Sequence, residues 1–95
     1  MTFEILVSKR FLKELKKYDT PIKNRLRSAT EELKKDPYTA RPNLDILQVK
    51  GTNPQLYRLR VGEVRILYTI QDNTIILLLR IFDREVGYKK FLKEF

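Results

Sequence analysis

Phe3, Ile5 and Val7 recur at every second position of Thr2–Val7, which predicts a short strand. The period then lengthens. Ser8 can cap a helix whose apolar stripe is Phe11, Leu12, Leu15 and Tyr18, with Lys9, Arg10, Lys13, Lys16 and Lys17 covering the rest. Asp19-Thr20-Pro21 reads as a break and restart, with Thr20 as cap and Pro21 in the first helical turn. Ile22, Leu26, Ala29 and Leu33 are spaced by 4, 3 and 4, one face of a second helix that stops at Asp36-Pro37. These two segments predict a helical hairpin. Residues 37–56 hold three prolines and Gly51 and read mainly as connection, with a short extended piece at Leu44–Val49.

From Leu56 the period is two. Tyr57, Leu59 and Val61 point one way, Arg58 and Arg60 the other. Gly62-Glu63 suits a two-residue II′ turn, which wants glycine first. The next strand puts Val64, Ile66, Tyr68 and Ile70 on one face and Arg65, Leu67 and Thr69 on the other. Asp72-Asn73 is a second turn, and Thr74–Phe82 is apolar on both faces, as a central strand should be. Glu85–Phe95 reads as a short terminal helix or a frayed tail. The chain is thus one α+β domain over residues 1–95: strand, helical hairpin, three-stranded meander.

Two-residue turns fix a register. Val61 then faces Val64, Arg60 faces Arg65, Leu59 faces Ile66, Tyr57 faces Tyr68 and Tyr68 faces Leu77, while Arg65 faces Arg80. Three arginines would line up across three strands. Like charges directly opposite cost roughly 0.2–1 kcal/mol per pair. An anion shared among the guanidiniums would offset that cost, and Arg clamps phosphate bidentately at any working pH. Leu67, Leu78 and Phe82 on the same face give the mixed character of a binding surface. The bland alternative is a row of splayed, solvated arginines. If the Arg60–Arg65 contact is repulsive, Arg65→Ala should be no less stable than the parent chain.

Composition narrows the chemistry. Twenty Lys+Arg stand against 12 Asp+Glu, for a net charge of +8. Residues 1–47 hold 11 basic and 7 acidic side chains and residues 48–95 hold 9 and 5, so the excess belongs to the domain and not to a tail. A polyanion is the expected partner. The absence of Cys and His excludes thiol nucleophiles, catalytic triads, and thiolate or imidazole metal ligands. Three glycines, at 51, 62 and 87, cannot build a Gly-rich phosphate loop. The longest aliphatic run, Ile75–Leu79, is far short of a membrane span, and the N-terminus lacks a signal-peptide pattern, which predicts a cytoplasmic, soluble domain. Neither a cofactor nor a metal is expected.

Lys13, Lys16 and Lys17, and likewise Lys34-Lys35, read as solvated helix faces, and Glu31 and Glu32 as partners of nearby lysines. Tyr88 follows Arg84 by one helical turn. A phenol becomes a plausible base only where cations depress its pKa, and Arg84, Lys89 and Lys90 adjoin it in sequence.

The stretch Val49-Lys50-Gly51, then Tyr57-Arg58-Leu59-Arg60-Val61-Gly62-Glu63-Val64-Arg65-Ile66-Leu67-Tyr68, then Arg84-Glu85-Val86-Gly87-Tyr88, resembles the RelE/ParE superfamily of toxin–antitoxin toxins. The resemblance implies a small antiparallel sheet, built from the N-terminal strand and the C-terminal meander, with the hairpin packed on one face. It implies a toxin of a type II system. Its RelE branch is a ribosome-dependent mRNA endonuclease that cuts in the A site by 2′-hydroxyl attack without a metal. By position, Arg65 matches the arginine on the scissile phosphate, Arg84 a second one, and Tyr88 a tyrosine implicated in proton transfer. Lys50, Arg58 and Arg60 match basic residues around them, and Arg80 joins this phosphate-binding set through the arginine row. Asp83 stands where many relatives carry His, and Val64 where many carry an aromatic. The implied partners are a small acidic RelB-like antitoxin, the ribosome and mRNA. Two alternatives remain at this point: a ParE-like, non-enzymatic gyrase inhibitor, and a basic nucleic-acid-binding domain without cleavage activity.

Overall fold

A computed structural model describes residues 2–82 together with 89, 90 and 93, and for 76–82 the backbone alone. The elements are β1 (Glu4–Val7), α1 (Lys9–Leu15), α2 (Thr20–Leu33), β2 (Asp45–Val49), β3 (Leu56–Val61), β4 (Val64–Gln71) and β5 (Thr74–Phe82). They form one five-stranded sheet in the order β1-β5-β4-β3-β2. The expected antiparallel meander of β3, β4 and β5 is present. Two features differ from expectation. β1 runs parallel to β5, so the sheet is mixed, and Asp45–Val49 is a full edge strand antiparallel to β3.

The second difference has a simple origin. The extended piece expected at Leu44–Val49 is this strand, but its membership of the sheet was not legible, because only Ile46 of its centre faces the core, while Val49 is buried on the opposite face. Its backbone groups gain ladder partners only once β3 lies alongside. β1 and β2, consecutive strands, thus occupy opposite edges of the sheet. The hairpin of α1 and α2 carries the chain between them across one face.

Ser8 caps α1 as expected, its hydroxyl accepting from the Phe11 amide at 3.0 Å. Phe11 is buried, and Leu15 and Tyr18 pack beside it. Leu12, by contrast, is 49% exposed. Residues 11, 15 and 18 share one face at helical spacing, and position 12 is rotated about 100° from it. In α2 the cap is Asp19, one residue before the expected Thr20. Its carboxylate accepts from the Ile22 amide at 3.1 Å, with Pro21 in the first turn. Leu26, Ala29 and Leu33 are buried against Leu44, Ile46, Leu59, Val64, Ile66, Tyr68 and Ile75.

The chain after α2 is held by specific bonds. The Arg41 guanidinium donates to the carbonyls of Glu32, Asp36 and Thr39 at 2.7, 2.9 and 2.8 Å, which satisfies one carbonyl in the last turn of α2 and two in the connection beyond it. The Asp36 carboxylate accepts from the Tyr38 and Thr39 amides at 2.9 and 3.2 Å. Those bonds hold its pKa below the ordinary carboxylate value. Tyr38 in turn sits edge-on to Phe3 and Tyr57, and Tyr57 stacks on Tyr68. The Tyr68 hydroxyl donates to the buried Pro37 carbonyl at 2.7 Å, and burial raises its pKa.

Two outcomes follow from these bonds. Tyr68→Phe leaves the Pro37 carbonyl buried and unpaired, so it should lower unfolding free energy by about 1–3 kcal/mol in urea titrations. The Asp36 pKa is lower folded than unfolded. Its contribution is therefore present above the unfolded value near 3.8 and is lost as pH falls through the folded one. Asp36→Ala should accordingly flatten the acid limb of a stability-versus-pH curve measured between about pH 5 and 2.

The arginine face as candidate functional site

The β3–β4 turn creates the site. Gly62 adopts φ +61°, a left-handed conformation that glycine takes without a Cβ penalty. The turn is two residues long, and the register is the expected one: Val61–Val64, Arg60–Arg65, Leu59–Ile66 and Tyr57–Tyr68. Leu59, Ile66 and Tyr68 therefore enter the helix-covered core, while Arg58, Arg60, Arg65 and Leu67 fall on the other face.

The third row member behaves differently. Tyr68 faces Leu77, as the Asp72-Asn73 turn requires. The ladder then shifts between Ile66 and Tyr68, so that Ile66 faces Ile81 and Arg65 faces Phe82. Arg65 and Arg80 are not opposite each other, and the three-strand arginine row is not formed. A bulge in β5 absorbs extra residues on one strand, which turn-based register counting cannot foresee. Arg80 lies in that irregular stretch, with its side chain outside the described atoms. Arg84 and Tyr88 lie outside the described residues altogether.

The four described basic residues are unequally available. Lys50 is exposed in the turn after β2, just before Gly51 at φ +78°. The Arg60 side chain is 41% exposed; its Nε donates to the Gly62 carbonyl at 3.0 Å, and Glu63 is 3.8 Å away. The Arg58 side chain is 14% exposed and donates from Nη2 to Asp45 Oδ1 at 2.6 Å. Arg65 is only 5% exposed, and its Nη1 donates to the Glu63 carbonyl at 3.0 Å. Leu67, expected at the surface, is fully buried with Leu56 and Thr69. The centre of the sheet is thus covered on both faces, and the open part of the arginine face is its β2–β3 side. There Leu47, paired with Arg58, is 51% exposed.

Asp45 was not singled out from the sequence, because its stretch read as a short extended piece with no pairing partner assigned. The usable signal was an isolated acid between apolar residues, opposite Arg60 once β2 pairs with β3. Arg25 was missed as well. It projects from α2 to the β3–β4 turn, where its guanidinium nitrogens stand 3.3 and 3.4 Å from the position a Gly62 Cβ would occupy. Among the described residues, no three acidic side chains converge on a point where a metal ion could be held. What the face offers chemically is fixed positive charge and guanidinium donors, suited to phosphate oxygens.

Residues 5–88 match the family described as ParE toxin of the type II toxin–antitoxin system parDE. Toxin RelE3 of Methanocaldococcus jannaschii is 33% identical over 88 residues, covering 93% of this chain and 98% of that protein. Among solved structures, the archaeal RelE–RelB complex from Pyrococcus horikoshii superposes with a TM-score of 0.76 at 26% identity, over 90% of this chain and 98% of that one. The RelB–RelE antitoxin–toxin complex from Methanococcus jannaschii gives 0.70 at 32% identity, with the same coverage. A mixed sheet carrying a helical hairpin, an arginine-bearing β3–β4 hairpin and these near-full-length likenesses lead to one conclusion: the chain belongs to the RelE/ParE superfamily of type II toxin–antitoxin toxins.

Proposed function

We propose that this toxin is a ribosome-dependent mRNA endonuclease held in check by an acidic, RelB-like antitoxin. The observation that carries the reading is the clustering of Arg58, Arg60 and Arg65 around one hairpin, with Lys50 on the neighbouring strand end. In the proposed reaction the ribose 2′-oxygen attacks the adjacent phosphorus and the bond to the 5′-oxygen breaks. The products are a 2′,3′-cyclic phosphate and a 5′-hydroxyl. Arg65 and Arg84 neutralise charge on the pentavalent phosphate, Tyr88 takes the 2′-hydroxyl proton, and a proton is returned to the leaving oxygen. Lys50, Arg58, Arg60 and Arg80 hold the flanking phosphates. The exposed Lys50 and Arg60 make the first encounter, and Arg65, anchored to the Glu63 carbonyl, neutralises the scissile phosphate. The ribosome supplies substrate geometry, which suits a site with neither His nor Cys.

An antitoxin is supported by the RelB complexes among the structural relatives. Its acidic segment fits the arginine face along the β2–β3 side, where Leu47 offers apolar contact beside Arg58. A stable complex of this kind buries more than about 1,000 Å². A second reading, gyrase inhibition without cleavage, is favoured by the match to the ParE family.

Adding the protein to an in vitro translation reaction and mapping mRNA 5′ ends by primer extension separates the two. Cleavage within the A-site codon is expected; intact mRNA together with inhibited supercoiling by gyrase would reverse the assignment. Arg65→Ala should slow single-turnover cleavage by about 100–1,000-fold, as loss of one charge-stabilising donor does, while Lys13→Ala leaves it unchanged. Burial also reverses the stability expectation for Arg65. Losing its bond to the Glu63 carbonyl and its packed stem outweighs the relief of like charge across from Arg60. Arg65→Ala should therefore be less stable by about 1–3 kcal/mol in thermal melts. Arg65→Lys keeps charge and stem but lacks the fork, so it should lose cleavage with a smaller stability change.

A further inference from the structure

An open cleft of about 900 Å³ runs between α2 and the outer strands, ending at the β3–β4 turn. Asn24, Arg25 and Ser28 of α2 form one wall, and Asn43, Arg60 and Gly62 lie across from them. The acids along it are already engaged. Asp45 is bound to Arg58 at 2.6 Å, and Glu32 to Lys35 at 3.1 Å with Arg41 at 3.9 Å. The Arg41 guanidinium is held by three backbone carbonyls. Arg25 differs: among the described residues it has no carboxylate within ion-pair distance, and it is exposed.

Arg25 and Arg60 converge on one glycine. Arg60 Nε donates to the Gly62 carbonyl, and the Arg25 guanidinium lies against the space left by the missing Gly62 side chain. Glu63, 3.8 Å from Arg60, offsets part of the repulsion between the two cations and leaves Arg25 uncompensated, where an added anion is favoured. The neutral groups beside them, two amides and a hydroxyl, can both donate and accept, which suits a sugar–phosphate backbone with its hydroxyls.

A peptide would need apolar anchors in empty pockets. The cleft offers little of that kind: its Ala29 and Leu44 are packed in the core, Val61 packs against it, and Pro42 is its one exposed apolar lining residue. The large exposed hydrophobic side chains, Leu6, Val7, Leu12, Tyr38 and Leu47, lie outside it.

We propose that this cleft is a second phosphate-binding subsite for RNA, in which Arg25 contacts a backbone phosphate on the far side of the β3–β4 turn from the arginine face. The inference rests on the endonuclease reading for the identity of the strand. It extends that reading by routing the strand around the turn and over α2.

The test is binding of a short fluorescent oligouridylate to the full chain, by anisotropy across a salt series, with antitoxin binding measured in parallel. Arg25→Ala should weaken RNA binding about tenfold at low salt, as loss of a charge-assisted bond does. It should also reduce the slope of log affinity against log salt by about 0.7, one phosphate contact on a single strand. Arg25→Lys should restore the slope. Ser28→Glu, which places an acid one helical turn from Arg25 where it can pair with the guanidinium in place of phosphate, should weaken binding similarly, and antitoxin affinity should not change. Lys13→Ala, which removes the same charge from α1, should leave the slope unaltered. Unchanged RNA affinity and slope in folded Arg25→Ala and Ser28→Glu would overturn the proposal. So would a loss of antitoxin affinity in place of RNA affinity, which would make the cleft a peptide site. Cleavage is read separately on ribosomes. Arg25-dependent RNA binding without cleavage would remove the endonuclease reading and leave the subsite. Cleavage with Arg25-independent binding would do the reverse.

Discussion

The two-residue turn at Gly62-Glu63 is the constraint on which the rest of the molecule depends. Side chains alternate faces along a strand, so a slip of one residue between β3 and β4 would exchange every partner. With Gly62 at φ +61°, Leu59, Ile66 and Tyr68 meet α2, and the arginines are collected on the opposite side. Core and functional face are therefore set by the same backbone torsion. The turn also supplies the acceptors that hold the arginines, since Arg60 binds the Gly62 carbonyl and Arg65 the Glu63 carbonyl. Fixing the guanidiniums to backbone lets like charges sit opposite each other without side-chain freedom being lost anew when an anion arrives.

Exposure divides the positive charge into two populations. Arg41, Arg58 and Arg65 are engaged with carbonyls or a carboxylate and contribute to architecture as well as to potential. Lys50, Arg60 and Arg25 remain exposed around the turn and the β2 end. Attraction of a polyanion is a property of the second population, because exposed charge acts over about a Debye length of 8–10 Å. The first population is held in fixed orientations by its bonds and sits in a lower dielectric, where a guanidinium interacts more strongly with nearby charge.

Features with local causes were legible in the chain itself. The Ser8 cap, the 4-3-4 spacing of Ile22, Leu26, Ala29 and Leu33, and the two-residue turns each depend on residues a few positions apart. From them came the α+β class, the meander and the Arg60–Arg65 pairing. The RelE/ParE likeness was legible too, because it resides in one contiguous hairpin. Tertiary structure decided whatever required distant residues to meet. β2 became a strand only by pairing with β3, β1 found a parallel partner some 70 residues away in β5, and the β5 bulge moved Arg80 out of line with Arg65. The approach of Arg25 to Gly62 is likewise an outcome of α2 closing on the sheet, and the burial of Leu67 and Arg65 is a property of the folded chain alone. Hydrophobic periodicity records which face of an element is apolar, whereas a ladder shift or a covering layer is settled by the summed packing of the whole chain.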